Sequence, residues 1–349
     1  MCHLEGALFV SAHATLLSAV LHWTAKFRAI THTPRMIALR LIALAILLSC
    51  VPACALRSHS TLVPGAPVPS MSELWAESDP SRNLFWGPGG ETAAPSAQAE
   101  YQFVARDTTG KSPGYDVRDA QGRLWSVKLG PEAQSEVVVS RLLWAAGYFQ
   151  PPTYYLPRWT LIGAPEAGPQ AAGRFRLELD RQQKVGSWSW SANPFVGTMP
   201  LRGLFVLMVM VNNWDLKTQQ NPLYELPGGS DGPLRRYVVR DLGASLGGTR
   251  WIFPGSKSDI DDFEKERFIH SVRDGQVRFH YRGAWREPSL KRGVTPADVR
   301  WISQRLERLT AAQWSDAFRA AGYSDADAGR FIVRLRQKVG EGLGVASGS

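Results

Sequence analysis

The stretch of sequence that decides the fold is residues 204–221, which read LFVLMVMVNNWDLKTQQN. Its first eight residues are uninterrupted apolar side chains, and the segment that follows is polar around one aromatic residue, Trp214. An apolar run of this length is a buried element, but periodicity does not say whether it is a helix or a strand. The abrupt change from apolar to polar chemistry predicts that Asp215 and its neighbours form a loop at the floor of a cleft.

A second acidic residue follows the next structural unit of the sequence. Residues 223–226 and 236–240 favour β-structure and flank a turn at 227–233, so they predict a hairpin. The Asp215 to Asn221 loop lies at one end of this hairpin, and Asp241-Leu-Gly-Ala-Ser lies at the other. The hairpin is therefore expected to bring two acidic loops into the same part of the molecule.

Upstream of this region, the sequence predicts a small antiparallel sheet followed by a helix. Three short runs favour β-structure and are separated by turn-rich segments: 101–105, 114–117 and 124–129. A helix is expected to begin at Ser135, with its apolar residues at helical spacing, and to end at Gly147. The order is strand, loop, strand, strand, helix.

Downstream, the chain is predicted to be mainly helical. Asp274-Gly275 between two β-favouring runs is a hairpin signal. Three helices then begin with N-capping residues, at Thr295, Thr310 and Ser324. A β-rich front joined to a helical back places the chain in the α+β class.

Composition excludes several kinds of site. The chain has 349 residues, 44% hydrophobic and 20% charged, and its length allows about two domains. All three cysteines and five of the seven histidines lie in the first 59 residues, which excludes a disulfide scaffold, a cysteine-ligated metal and a cysteine nucleophile from the body. The net charge of +9 comes from scattered residues without a basic block, so no nucleic acid partner is expected.

The N-terminal region predicts export. Met36 starts a short basic and apolar segment that ends in small residues, which is typical of a signal peptide or lipoprotein leader at 36–55. Cys50 is the candidate lipidated residue, so the protein is expected in the periplasm, anchored to a membrane only through this lipid, or secreted. Residues 1–35 are interpreted as a non-native upstream extension. Residues 56–98 form a Pro/Ser/Ala-rich tether whose aromatics, Trp75, Phe85 and Trp86, are expected to dock on the body.

The order of polar residues resembles that of a known family. A strand lysine, a helix glutamate, an Asp-Leu loop, a hairpin and an Asp-Leu-Gly turn follow one another as in the protein-kinase-like fold: Val127-Lys128, Glu136, Asp215-Leu-Lys217 with Asn221, and Asp241-Leu-Gly243. The sequence is most similar to the atypical branch, with HipA-type and phosphatidylinositol kinases, and to an uncharacterised secreted bacterial group. The resemblance implies a two-lobed fold, with a small antiparallel β N-lobe at 99–165 and a mainly helical C-lobe at 166–345.

The same resemblance implies a nucleotide site that binds ATP. Lys128 would hold the α- and β-phosphates and would be oriented by an ion pair with Glu136. The loop that contains Gly110 and Gly114 would cover the phosphates, because glycines let backbone amides approach them closely.

It also implies a catalytic loop and a site for Mg²⁺ or Mn²⁺. Asp241 would bind the metal with help from Asn221, Asp215 would accept the proton of the acceptor hydroxyl, and Lys217 would reach the γ-phosphate. The partners implied are a nucleotide and an unidentified phosphate acceptor, a protein or a small hydroxyl compound. A monomer is expected.

The sequence departs from the family pattern in three places. One of them is that Asn213-Trp214 stands where the family has His-Arg before the aspartate. Gly110-Lys-Ser-Pro-Gly114 replaces the usual G-x-G-x-x-G, and Asn221 stands one residue beyond its expected place, which Gln220 occupies. The leading hypothesis is an exported, metal-dependent phosphotransferase. The alternative is a catalytically inactive kinase-like binding lipoprotein of the cell envelope. A third hypothesis, which is disfavoured, is a hydrolase that uses Ser245 or Ser256 with His270.

Overall fold

The structure of the protein is a computed structural model that describes residues 69–108, 112–228, 233–249, 255–284 and 286–346. These residues belong to one compact unit that spans Ser58–Ser349. The extension at 1–35, the leader at 36–55 with Cys50, and the first part of the tether lie outside the described residues. Export and lipid anchoring therefore stay predictions.

The described chain forms twelve strands and six α-helices. In chain order the strands are β1 Glu100–Asp107, β2 Gly114–Arg118, β3 Leu124–Leu129, β4 Thr153–Leu156, β5 Trp159–Ile162, β6 Gly168–Gln170, β7 Gly173–Leu177, β8 Gln183–Ser187, β9 Pro222–Leu226, β10 Leu234–Tyr237, β11 Ile269–Arg273 and β12 Gln276–Phe279. The helices are α1 Glu132–Ala145, α2 Met199–Met210, α3 Ile260–Lys265, α4 Pro296–Glu307, α5 Ala311–Arg319 and α6 Asp325–Leu343. None of these helices is long and apolar enough to cross a membrane.

The N-terminal half is built on a seven-stranded sheet with the order β4-β7-β3-β2-β1-β5-β6. The predicted meander of β1, β2 and β3 is confirmed as antiparallel, and β1 also pairs with β5 in parallel. The sheet extends beyond residue 165, where the sequence predicts the lobe boundary, because β6 and β7 continue it as far as Leu177. Strand β7 lies between β3 and β4, and this non-sequential pairing leaves no local signal in the sequence.

The two faces of this sheet differ in chemistry. One face carries a buried aromatic cluster that includes Tyr101, Trp125, Trp159 and Phe175. On the opposite face, the aligned partners Gly114, Lys128 and Arg174 lie side by side on β2, β3 and β7. Because side chains alternate along a strand, the apolar face fixes the register that puts Lys128 on the polar face.

The segment before β1 packs on the body through its aromatic residues. The Trp75 indole lies 5.1 Å from the Trp301 ring and donates a hydrogen bond to the Ala146 carbonyl at 2.8 Å. The buried guanidinium of Arg141 donates to the Leu84 carbonyl at 3.0 Å, beside Phe85. Residues 69–98 are therefore tied to both α1 and α4.

The C-terminal half is mainly helical around α2, which resolves the ambiguity of residues 204–211 in favour of a helix. The side chain of Thr198 caps its first turn, and Pro200 lies within that turn, where a missing amide costs nothing. Helix α2 packs against α4 and α6. A three-stranded sheet, β10-β9-β8, and the β11–β12 hairpin complete this half, so the α+β fold class is confirmed.

Candidate functional site

Lys128 lies at the centre of a charged cluster between the two halves. Its Nζ is 3.0 Å from Glu132 Oε2 and 3.4 Å from Glu136 Oε2, and it also contacts Asp241 Oδ1. Burial opposes the charged ammonium, but Glu136 and Asp241 outweigh it and raise the pKa of Lys128. The structure thus brings together the strand lysine, the helix glutamate and the Asp-Leu-Gly aspartate on one ion-paired centre.

Glu136 is held as a carboxylate by arginines as well as by Lys128. Its Oε1 lies 3.0 Å from Arg174 Nε and 3.4 Å from Arg176 Nη1. Burial alone would raise the pKa of Glu136, but Arg174, Lys128 and Arg176 together lower it to about 2. Burial in turn lowers the pKa of Arg174 to about 10 against the pull of Glu136. Glu136 therefore stays charged at any physiological pH.

Helix α1 is locked to the Asp-Leu-Gly turn by close packing. The Ser135 hydroxyl donates to the Gly243 carbonyl at 2.8 Å. A Cβ on Gly243 would lie 2.5 Å from the Cβ of Glu132, so a larger residue would separate the turn from the helix. Glycine at position 243 is thus required by the contact that aligns Asp241 with Lys128.

The second acidic loop meets the first through Gln220. Its Nε2 donates to Asp241 Oδ2 at 2.8 Å and lies 3.4 Å from Asp215 Oδ2, while Lys217 Nζ donates to the same Asp215 oxygen. The backbone amide of Asp215 donates to Asn213 Oδ1 at 3.2 Å, which fixes the start of the loop. Asp215, Lys217 and Asp241 are therefore neighbours.

Asn221 does not join this cluster. It is 1% exposed, and its Nδ2 donates to the Trp188 carbonyl at 3.3 Å. A short 3-10 helix over Thr218–Gln220 turns the Gln220 side chain towards the carboxylates and the next residue into the core. Of these two residues, it is Gln220 that contacts Asp215 and Asp241.

The predicted phosphate-covering loop is described only at its ends. Gly110 lies outside the described residues. Gly114 pairs with Lys128 across β2 and β3, and a Cβ there would lie 2.8 Å from the Val127 carbonyl oxygen. This end of the loop is therefore beside Lys128.

Residues that the sequence did not single out complete the cluster. Glu132 and Lys257 form an ion pair within it. Arg174 and Arg176 form ion pairs with Glu136. The spacing of Glu132, four residues after Lys128, is no helical signal because Lys128 lies on β3, and the helix was expected to begin later, at Ser135. The arginines carry no local signal because β7 reaches β3 only through the tertiary fold.

The cluster suits a metal that binds together with phosphates. Among the described residues, no group of three or more His, Cys, Asp or Glu side chains is arranged to hold a metal ion. Mg²⁺ is commonly bound by one or two carboxylates together with water and substrate phosphate oxygens. Asp241, with 40% of its side chain exposed and Asp215 nearby, fits that kind of site.

The residues of a hydrolase are not brought together. Ser245 is fully buried, and the Ser256 hydroxyl donates to Asp262 Oδ2 at 2.7 Å. His270 is exposed on β11, with its ring 4.7 Å from that of His280. These contacts give neither serine a histidine base.

A cavity of about 250 Å³ lies at the end of α1, beside Ala145 and α4. Its arginines already have partners, since Arg305 and Arg308 both bind Glu77, and Arg82 donates to the Trp144 carbonyl. The three arginines of the cavity are therefore already engaged by protein groups.

Comparison with known proteins returns protein kinases among solved structures. A crystal structure of a Helicobacter pylori proinflammatory kinase, CtkA, is 12% identical, with a TM-score of 0.43, and the match covers 69% of this chain and 95% of that chain. The Golgi casein kinase with Mn/ADP bound is 10% identical, with a TM-score of 0.28, and the match covers 89% of this chain and 91% of that one. No protein-family model and no curated protein matches the sequence.

Proposed function

We propose that this protein is an ATP- and metal-dependent kinase-like phosphotransferase that acts on a protein or small hydroxyl acceptor. The observation that carries the proposal is the linked set of Lys128, Glu136, Asp241 and Asp215, which four separate segments of the chain supply. A solvated ion pair needs no such convergence. A site for charged phosphates does need it, because catalysis of their transfer is mostly positioning and charge neutralisation.

Each residue has a role that follows from its contacts. Lys128 would bind phosphate oxygens, and Glu136, fixed by two arginines, would hold the ammonium in place. Asp241 would hold Mg²⁺ or Mn²⁺, which when bound supplies positive charge against the phosphate oxygens. Asp215 would orient the acceptor hydroxyl and accept its proton, with Lys217 close enough to offset the charge.

We further propose that the chain belongs with the atypical kinases. The supporting features are the missing Gly-rich signature before Gly114 and the Asn213-Trp214 pair in front of Asp215. The Trp214 ring is buried at the base of the loop, and its indole donates to the Ser256 carbonyl at 3.3 Å. Through this packing, Trp214 would position the loop that contains Asp215.

The proposal is tested by calorimetric titration of the full chain with ATP and ADP, with and without Mn²⁺ or Mg²⁺, followed by transfer of labelled γ-phosphate to candidate acceptors. We expect nucleotide binding that depends on the metal, and phosphotransfer. Absence of nucleotide binding by the folded protein would overturn the proposal. Binding without transfer to any acceptor, including the chain itself, would favour the inactive binding protein.

The contrast between Gln220 and Asn221 gives a prediction. Gln220→Ala should lower phosphotransfer about 10- to 100-fold, because both carboxylates lose their shared donor, and should leave the melting temperature within a few degrees. Asn221→Ala should instead lower stability by about 1 to 3 kcal/mol, since it leaves the buried Trp188 carbonyl without this donor. Activity per folded molecule and thermal unfolding of both variants separate the two effects. The reverse pattern would show that Asn221 is the residue that acts.

A further inference from the structure

Lys257 has a backbone position that is fixed from both sides. It follows Ser256, whose carbonyl accepts from the Trp214 indole and whose hydroxyl accepts from the Gly248 amide at 2.7 Å. On its other side, the Ser258 amide donates to the Ser245 carbonyl at 3.0 Å. The Lys257 side chain therefore leaves a defined point beside the Asp-Leu-Gly turn.

The side chain reaches the charged cluster at Glu132. Its Nζ contacts Glu132 Oε1 and lies 5.4 Å from the centre of the Trp214 ring. The other oxygen of Glu132 is 3.0 Å from Lys128 Nζ, so one carboxylate is shared by two lysines. Burial alone would raise the pKa of Glu132, but Lys128 and Lys257 together lower it below its ordinary value.

The balance of charge leaves Lys257 with capacity to bind an anion. Lys128 is surrounded by three carboxylates, whereas Lys257 has Glu132 as its carboxylate partner among the described residues and shares it. An ammonium carries three donors, and a single contact uses one of them. About a quarter of the Lys257 side chain is exposed, at 26%, so it is open to a ligand.

We propose that Lys257 is a second phosphate-binding lysine of the cleft, held by Glu132 and Trp214 so that it contacts the distal phosphates of the nucleotide. The inference rests on the proposed function, since it needs a polyphosphate beside Lys128 and Asp241. It adds a residue from the segment after the Asp-Leu-Gly turn to the binding site. It also gives Glu132 a task distinct from that of Glu136: to align two cations rather than one.

The test compares ATP, ADP and AMP by calorimetry, in the presence of Mn²⁺, on the full-length wild type, Lys257→Met and Lys257→Arg. Lys257→Met should weaken ATP binding about 10- to 100-fold and AMP binding less than about twofold, because the lost charge-assisted contact is to distal phosphates. Lys257→Arg should keep most of the affinity for ATP. The matched control is Lys184→Met, which removes the same charge from an exposed position on β8.

The possible outcomes are distinct. Unchanged ATP affinity in Lys257→Met, or equal weakening of ATP and AMP, overturns the inference while the proposed function stands. Absence of nucleotide binding by the wild type overturns both. A loss of affinity in Lys257→Met that is smallest for AMP and largest for ATP, and that is absent in Lys257→Arg, supports the inference. A merely structural role would not depend on the number of phosphates.

Discussion

Asp241→Asn is expected to reduce phosphotransfer by about a thousandfold or more, the range found when a charge-stabilising group is removed from such a site. The amide has the same shape as the carboxylate but no charge, so it can no longer hold a divalent metal tightly or pair with Lys128. The fold should persist. Asp241 is 40% exposed, and an ion pair at such a position contributes at most about 1 kcal/mol.

The measurement is nucleotide binding with and without metal, beside the rate of phosphotransfer and the melting temperature. Asp261→Asn is the matched control, because Asp261 is an exposed carboxylate on α3 whose ion-pair partner is Arg330 and not a residue of the Lys128 cluster. The control should retain both binding and transfer. If Asp241→Asn keeps metal-dependent binding and wild-type rates, then the Asp-Leu-Gly turn does not form the metal site and the assignment of the cleft is wrong.

Much of the fold could be predicted because the relevant signals are local. Turn residues separate the β-favouring runs of the meander, and capping residues mark the starts of α4, α5 and α6, where the side chains of Thr295, Thr310 and Ser324 do cap the helices. The apolar run before Asp215 was ambiguous because α2 is buried all round and shows no period. Its cap, Thr198 with Pro200, lies outside the run and was the missing signal.

The candidate site was predictable only in part, and the limits have physical causes. The order of Lys128, Glu136, Asp215 and Asp241 along the chain was sufficient to associate them. Which side chain of the pair Gln220 and Asn221 faces the carboxylates depends on one 3-10 turn, and a shift of one residue reverses the outcome. Glu132 was missed because α1 begins three residues before Ser135.

Buried arginines show a different limit. Arg174 and Arg176 lie on β7, which pairs with β3 although almost fifty residues separate them, and no local pattern indicates this. The alternation Arg-Phe-Arg-Leu predicts at most a strand with one polar face. That Glu136 would need more positive charge than Lys128 supplies follows only from its complete burial.

Lys338 carries the second large prediction, because it is a fully buried lysine that supports the start of the Asp215 loop. Its Nζ donates to the Met210 carbonyl and to Asn212 Oδ1, both at 2.9 Å, and lies 4.2 Å from the centre of the Phe263 ring. It therefore joins α6 to the end of α2, where the backbone of Asn212 turns at a positive φ of 55° towards Asp215. Burial first, and Arg334 second, lower the pKa of Lys338 to about 7, although Glu266 and Glu341 oppose this.

The direction of the pH effect follows from this depressed pKa. In the unfolded chain Lys338 keeps its proton up to its ordinary pKa of 10.5, whereas in the folded protein it loses the proton near pH 7. Between these values the unfolded state binds more protons, so the free energy of unfolding rises with pH. Below pH 7 both states are protonated, and the cost of the buried charge is complete and constant.

Lys338→Met should therefore remove a pH-dependent part of the stability. The stability of the wild type relative to this variant is expected to rise by about 3 kcal/mol from pH 7 to 9.5, measured by urea unfolding at several pH values. Taking the difference between wild type and variant cancels the titration of other groups. Lys265→Met, which removes a lysine whose side chain is 74% exposed, is the matched control. A flat difference would mean that Lys338 stays charged in the fold, held by the two oxygens that end α2. Its ammonium, rather than a neutral amine, would then be the group that fixes Asn212 and the loop to Asp215.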